Sequence, residues 1–286
     1  MTPLSDPVKI LMPEEWRIPF VYSSPHSGRI YPDNFVESSN LDFLKLRQSE
    51  DFLVDLLFES APEAGAPLLR AEFPRAYCDA NREAFELDPR MFTTPLPDYV
   101  MTASPRLASG IGTIPRVVGA GQEIYADKLE FEEAQRRINN CYFPYHHALR
   151  QLLEEGLKRF GVIYLIDCHS MPSGPCKGPR GPKRPEIVLG NRYGISCGQS
   201  FFSAARDCLK DLGYRIGENS PYAGGFITTH YGRPDKNIHA LQIELCRSLY
   251  MDQKTLEPID NFTVLQNDLR KFIHDTGRAR KSLLSA

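Results

Sequence analysis

The sequence predicts an α/β protein: a three-layer sandwich with helices on both faces of a central mixed, mainly parallel sheet. Two patterns predict it. Short, continuous apolar runs have the signature of strands buried on both faces. They alternate along the chain with stretches whose apolar residues recur at i, i+3 and i+4, the spacing of a helix with one buried face. An apolar fraction of 42% over 286 residues supplies a sizeable core and excludes wholesale disorder.

The strand-like runs come in order. The first is 20–23 (FVYS), and the second 67–73. Residues 162–166 (VIYLI) are the clearest, being continuous, rich in β-branched side chains and bounded by Gly161 and Asp167. Residues 187–189 and 240–245 complete the set. Between them, Leu53, Leu56, Leu57 and Ser60 fit a short helix. Ile138, Cys141, Tyr145, Leu149, Leu152, Leu153 and Leu157 fit a long one. Pro144 lies inside it and is expected to kink or divide it, having no N–H and a ring that meets the preceding turn. Phe201, Ala205, Cys208, Leu209 and Leu212 form a third stripe, stopped by Gly213. Leu265, Leu269, Phe272 and Ile273 form the last.

Composition narrows the function classes. Lys plus Arg is 34 and Asp plus Glu is 36, a formal net charge of −2. Such a balance is not built around a nucleic-acid backbone or an anionic membrane. The longest apolar stretch is the five residues 162–166, against roughly 20 for a membrane span. No basic start followed by an apolar run announces a signal peptide. Seven cysteines without a CxxC argue for reduced thiols and a cytoplasmic protein, and against a disulfide frame or cysteine-based zinc site. The stretch 172–185 (PSGPCKGPRGPKRP) holds five Pro, three Gly and four cations, so it is expected to be a loop, with a lid as one possible role. Chemistry-bearing motifs lie on both sides of it, which favours a single catalytic domain over 1–286.

Three polar residues share one kind of position. His26 follows the run FVYSS, His169 follows VIYLIDC, and Glu244 closes HALQIEL. In open α/β sheets ligands bind beyond the carboxyl ends of strands, so three such residues suggest one site. Two imidazoles and a carboxylate suit a catalytic zinc with its fourth position open to water. Glu50 and Asp51 are both candidates for the acid ligand, and both could equally be acids at a helix start. Asp79, Asn81 and Arg82 form a polar knot after a strand: either a carboxylate-binding site, through the planar fork of Arg82, or a buried structural Asp–Arg pair. In 222–232 (YAGGFITTHYG), Gly224 and Gly225 permit close backbone approach, and His230 is a ligand contact or a loop residue. His146, His147 and His274 read as helix-surface or core residues. Ser27 beside His26 lacks the G-x-S-x-G elbow of a serine hydrolase. The sequon at Asn261 carries no weight without an export signal.

Seven blocks in order resemble the N-formylglutamate amidohydrolase family: PHSG at 25–28, SED at 49–51, DANR at 79–82, PYHHAL at 144–149, DCHSM at 167–171, NSPYAGGFITTHYG at 219–232 and ALQIELCRSLYMD at 240–252. That family is similar to the zinc carboxypeptidases in fold and site logic. The resemblance implies His26 and His169 as zinc ligands, Asn81 and Arg82 as the carboxylate-binding pair, and Glu244 as general base. Carboxypeptidases place an acid ligand three residues after the first His, where this chain has Arg29. The role then falls to a later acid, and Asp51 is preferred to Glu50.

The resemblance implies a zinc-dependent hydrolase that converts N-formyl-L-glutamate to formate and glutamate, in histidine breakdown. One zinc per chain is expected, with cobalt or iron open as alternatives. Arg75 and His230 are candidate donors to the oxyanion, and Arg116 and Arg233 further candidates for the substrate carboxylates. A small formyl group is distinguished from other acyls by only ~1–3 kcal/mol per methylene. A hydrolase of another N-acyl amino acid is therefore the first alternative. A non-catalytic binder of acidic amino acids is the second.

Overall fold

The computed structural model describes residues 6–174 and 184–278. Most of the Gly/Pro-rich stretch expected as a loop or lid lies outside the described residues. The chain packs as two compact units. The segments Pro25–Glu50 and Arg70–Leu149, with the chain start up to Lys9, form the first. Ile10–Ser24, Asp51–Leu69 and the chain from Arg150 onward form the second.

A seven-stranded sheet, most of whose residues belong to the second unit, organises the fold. Its strands are β1 (Val8–Leu11), β2 (Phe20–Ser24), β3 (Leu68–Ala71), β4 (Ile163–Met171), β5 (Ile187–Gly190), β6 (Ile216–Glu218) and β7 (Ile238–Cys246), in the order β1-β3-β2-β4-β7-β5-β6. β2, β4 and β7 run parallel, β5 runs antiparallel to β7, and β6 is parallel to β5. The five strand-like runs of the sequence are all here, and the sheet is mixed as expected. β1 and β6 are short and only partly buried, so neither has a continuous apolar run to announce it.

Alternation gives the two central strands different faces. Tyr164, Ile166 and Cys168 of β4 and Leu241, Ile243 and Leu245 of β7 turn into the main core. Asp167, His169, Gln242 and Glu244 turn to the opposite face. The register pairs Asp167 with Gln242 and His169 with Glu244. Both strands are longer than their apolar runs suggested: His169 lies within β4 rather than after it, and Glu244 lies within β7 as its run implied. Helices α2 (Gln199–Asp211) and α4 (Asn261–Arg278) cover the apolar face with Phe201, Phe202, Ala205 and Leu209, and with Leu265, Leu269, Phe272 and Ile273. Phe201 sits 4.5 Å from the Tyr164 ring and 5.6 Å from that of Phe20. Truncating such a side chain costs about 3–5 kcal/mol.

The long helical stripe is one run: a helix at Phe131–Arg137, a π-helical turn at Ile138–Tyr142, then α1 (Phe143–Phe160). Pro144 does not divide it. It stands in the first turn of α1, directly after the wide π-turn, which takes up both the missing N–H and the clash of the ring with the carbonyl behind it. In the first unit Arg137 is buried, with its guanidinium 4.3 Å from the Tyr77 ring and 5.1 Å from that of Phe35, and paired to Glu133 at 2.7 Å. The expectation of reduced thiols fails at Cys246, which is disulfide-bonded. Cys78, Cys141, Cys168, Cys197 and Cys208 are free. Pairing depends on which sulfurs the fold brings together, and spacing in the sequence does not report that.

Candidate metal centre

β4 delivers His169 from the polar face of the sheet. Its Nδ1 is 2.9 Å from Asp51 Oδ2 and its Nε2 is 2.9 Å from Asp167 Oδ2. Burial by itself would depress this imidazole. The Asp167 and Asp51 carboxylates outweigh it and hold His169 well above its ordinary value. Asp51 is fully buried and accepts from Ser170 Oγ at 2.9 Å, with Arg247 Nη2 at 3.4 Å. Arg247 Nε in turn donates to Ser170 Oγ at 3.1 Å.

His26 follows β2 in the PHSG segment. Gly28 is required there: a Cβ would stand 2.0 Å from the Phe73 carbonyl oxygen. His26 Nε2 lies 2.7 Å from Asp79 Oδ1, and both residues are buried. Asp79 also receives Arg75 Nε at 3.0 Å and has Arg82 Nη2 at 3.5 Å. Burial would raise this carboxylate, but Arg82, Arg75 and His26 hold it well below the usual range. Burial pulls Arg82 down to about 10, leaving it charged at neutral pH.

The backbone around Asn81 is tied at every step. The carbonyls of Ala80, Asn81 and Arg82 are bonded by His146 Nε2 (2.8 Å), Arg82 Nη1 (2.7 Å) and the Tyr142 hydroxyl (2.9 Å). The Asn81 N–H donates to Asp79 Oδ1 at 2.8 Å. The π-turn ends at Tyr142, so the irregular stretch of the long helix supplies one of these donors. His146, read from the sequence as a core or surface residue, is buried and supplies another.

His26, Asp51 and His169 each offer one ligand atom, all within 4.8 Å of one another, and all three are buried. The donor set fits a metal ion. His26 has Asp79 within hydrogen-bond distance of Nε2, which would leave Nδ1 for an ion; His169 has Asp51 at Nδ1 and the Asp167 carboxylate 2.9 Å from Nε2, and an ion taken up at Nδ1 would displace the proton there. Glu50, the other candidate acid, is occupied elsewhere: Arg47 donates to it through Nε (2.9 Å) and Nη2 (3.0 Å), and Tyr31 through its hydroxyl (2.6 Å).

Glu244, buried on β7, accepts from Gln242 Nε2 at 2.8 Å. The remaining expected residues are placed as follows. His230 is exposed on α3 (Phe226–Tyr231) and stacks on Phe226 at 4.9 Å. Arg116 is held by Asp88 (3.0 Å) and Glu123, on the wall of a cavity of about 330 Å³ shared with Arg90, Tyr125 and Lys128. Arg233 pairs its backbone with Ile238, the first residue of β7, and turns Nη1 onto the Thr229 and Gly232 carbonyls. Glu244 is six residues further along, about 20 Å by strand rise. Arg233 therefore stands at the opposite end of β7 from Glu244.

Asp167, Arg247 and Gln242 were not anticipated. Period-two alternation carried a signal for two of them, since Asp167 and Gln242 each lie two residues before a chosen site residue and so share its face.

Comparison with known proteins bears on the family of the whole chain. The sequence model of N-formylglutamate amidohydrolases matches residues 18–251. The chain is 30% identical over 248 residues to an N-formylglutamate deformylase of Pseudomonas putida, covering 86% of each chain. It is 28% identical over 250 residues to one of Pseudomonas aeruginosa, covering 86% of this chain and 87% of that one. The crystal structure of an N-formylglutamate amidohydrolase from Ralstonia eutropha JMP134 superposes with a TM-score of 0.90 at 35% identity, over 96% of this chain and 99% of that chain. With a match across most of its length and a buried His–Asp–His group within that span, this chain belongs to the N-formylglutamate amidohydrolase family.

Proposed function

We propose that this protein hydrolyses the formyl amide of N-formyl-L-glutamate to formate and L-glutamate, in histidine degradation, with one zinc ion per chain held by His26, Asp51 and His169. The observation that carries this reading is the buried His26–Asp51–His169 group, both of whose imidazoles are backed by a carboxylate. The relatives' names supply the substrate.

A bound zinc would supply Lewis acidity toward a carbonyl oxygen and toward water. Glu244 takes the proton from the attacking water and later delivers it to the amide nitrogen as the C–N bond breaks, so that formate and the free amine leave. Gln242 holds the Glu244 carboxylate in place. Arg75 and His230 are the proposed donors to the developing oxyanion. Asn81 and Arg82 receive a substrate carboxylate, on a backbone that Tyr142 and His146 keep from moving.

Steady-state assays of the zinc-loaded protein on formyl-, acetyl- and succinyl-glutamate and on acetyl-aspartate test the acyl group. A kcat/KM on an acetyl compound equal to that on the formyl one would replace this substrate with another N-acyl amino acid. A folded, metal-loaded protein that binds glutamate and turns over none of them would make it a binder.

A further inference from the structure

N-formylglutamate carries two carboxylates, and the pair at Asn81 and Arg82 accounts for one. We propose that Arg192 receives the other, the side-chain carboxylate, and so sets the preference for an acidic amino acid; this rests on the function proposed above.

Arg192 lies two residues beyond β5, whose last residue Gly190 is the register partner of Gln242. Gly190 is a place of close approach. A Cβ on it would stand 2.7 Å from the Ala223 carbonyl carbon and 2.9 Å from the Gly224 nitrogen. Residues 223–224 therefore lie over the sheet face that carries Gln242 and Glu244. Tyr222, just before them, packs with Met171, Val188 and Cys246 on that same face. Arg192 lies against this cover: its Cδ and Cγ are 3.0 and 3.2 Å from where a Gly224 Cβ would be. Its backbone N–H donates to the Ala223 carbonyl at 2.8 Å. One chain of contacts thus runs from Arg192 through Gly224 and Gly190 to Gln242 and Glu244.

Two further features mark a ligand contact. Arg192 and Tyr193 both have left-handed backbones, φ 54° and 57°, which side-chain-bearing residues adopt only where the surroundings impose it. Here they do. Asn219 Oδ1 accepts from the N–H groups of Asn191 and Tyr193, while Asn191 Oδ1 accepts from Gly194 N–H and Asn219 Nδ2. The loop is held rigidly in a strained form, yet among the described residues no carboxylate pairs with the partly buried Arg192. A planar guanidinium presented this way suits bidentate recognition of a carboxylate.

The test compares N-formyl-L-glutamate with its neutral isostere N-formyl-L-glutamine on the purified full chain, wild type, Arg192→Met and Arg192→Lys. Arg192→Met is expected to lower kcat/KM on formylglutamate at least 50-fold, mostly through KM, and to change formylglutamine less than threefold. Arg192→Lys should recover part of the loss. Equal losses on both substrates, or none on either, overturn the proposal. If the wild type hydrolyses neither compound, the function assignment fails instead. Calorimetric binding of L-glutamate and L-glutamine then judges Arg192 separately. Glutamate selectivity that survives in Arg192→Met rejects it, and selectivity lost in that variant supports it.

Discussion

His169 and Glu244 are register partners on the two central parallel strands, so an imidazole and a carboxylate leave the sheet side by side on one face. This fixes Glu244 beside the His–Asp–His group without making it one of the three. Glu244→Gln keeps the shape and the Gln242 contact while removing the proposed base. It should reduce kcat by about 10²–10⁴-fold, the usual range for a lost general base, with metal content unchanged. Turnover equal to wild type would take Glu244 out of the mechanism.

Asp79 and Asp167 are the carboxylates at Nε2 of His26 and His169. Asp79→Asn and Asp167→Asn should each weaken metal binding by about 10–100-fold, as loss of such a partner commonly does. Competition against a chromophoric chelator measures this directly. An affinity matching wild type in both variants would mean that these carboxylates do not orient the ligands.

Removing the metal by prolonged dialysis against a chelator should abolish hydrolysis, and one equivalent of zinc per chain should restore it. The same cycle should move the melting temperature, because an ion that binds only the folded state adds about 2.7 kcal/mol at a free concentration 100 times its Kd. A chelator-treated protein, shown by metal analysis to hold no ion and still fully active, would end the metalloenzyme reading.

The Tyr142 hydroxyl donates to the Arg82 carbonyl. Tyr142→Phe leaves that oxygen without its donor, which should cost about 1–3 kcal/mol in chemical denaturation. The kinetic effect should fall on KM rather than kcat, since the loop it holds carries Asn81 and Arg82. A large fall in kcat with KM untouched would point to a different role for this contact.

Burial pushes the thiols of Cys141 and Cys197 up to about 12 and that of Cys208 up to about 11. A raised pKa means less thiolate at a given pH. At pH 8 Cys208 should alkylate about a hundredfold more slowly than an ordinary thiol, with the rate rising about tenfold per pH unit until pH 11. Peptide mapping after a timed pulse of iodoacetamide reads the site directly; fast labelling of Cys208 at pH 8 would show that its surroundings open.

Much of the site was legible because its residues sit at points of contrast. Polar His169 and Glu244 interrupt or end apolar runs, and that is visible in one dimension. Their carboxylate partners were harder. Asp79 joins His26 across 53 positions, a separation at which no local pattern operates. The choice of Asp51 over Glu50 turned on neighbours too: Arg47 and Tyr31 claim Glu50, and only the folded chain shows it.

The sequence by itself determined the α/β class, the five main strands, the helical stripes and the residue types of a two-histidine, one-acid centre. These follow from periodicity and from side-chain chemistry, which are properties of short segments. Tertiary structure alone decided which acid joins the histidines, which nitrogen of each imidazole is backed by a carboxylate, that the π-turn keeps the helix running through Pro144, and that Arg192 lies by the glycine pair. Those facts depend on strand register and on close approach between distant segments, and both are set by packing the whole core rather than by any stretch of the chain.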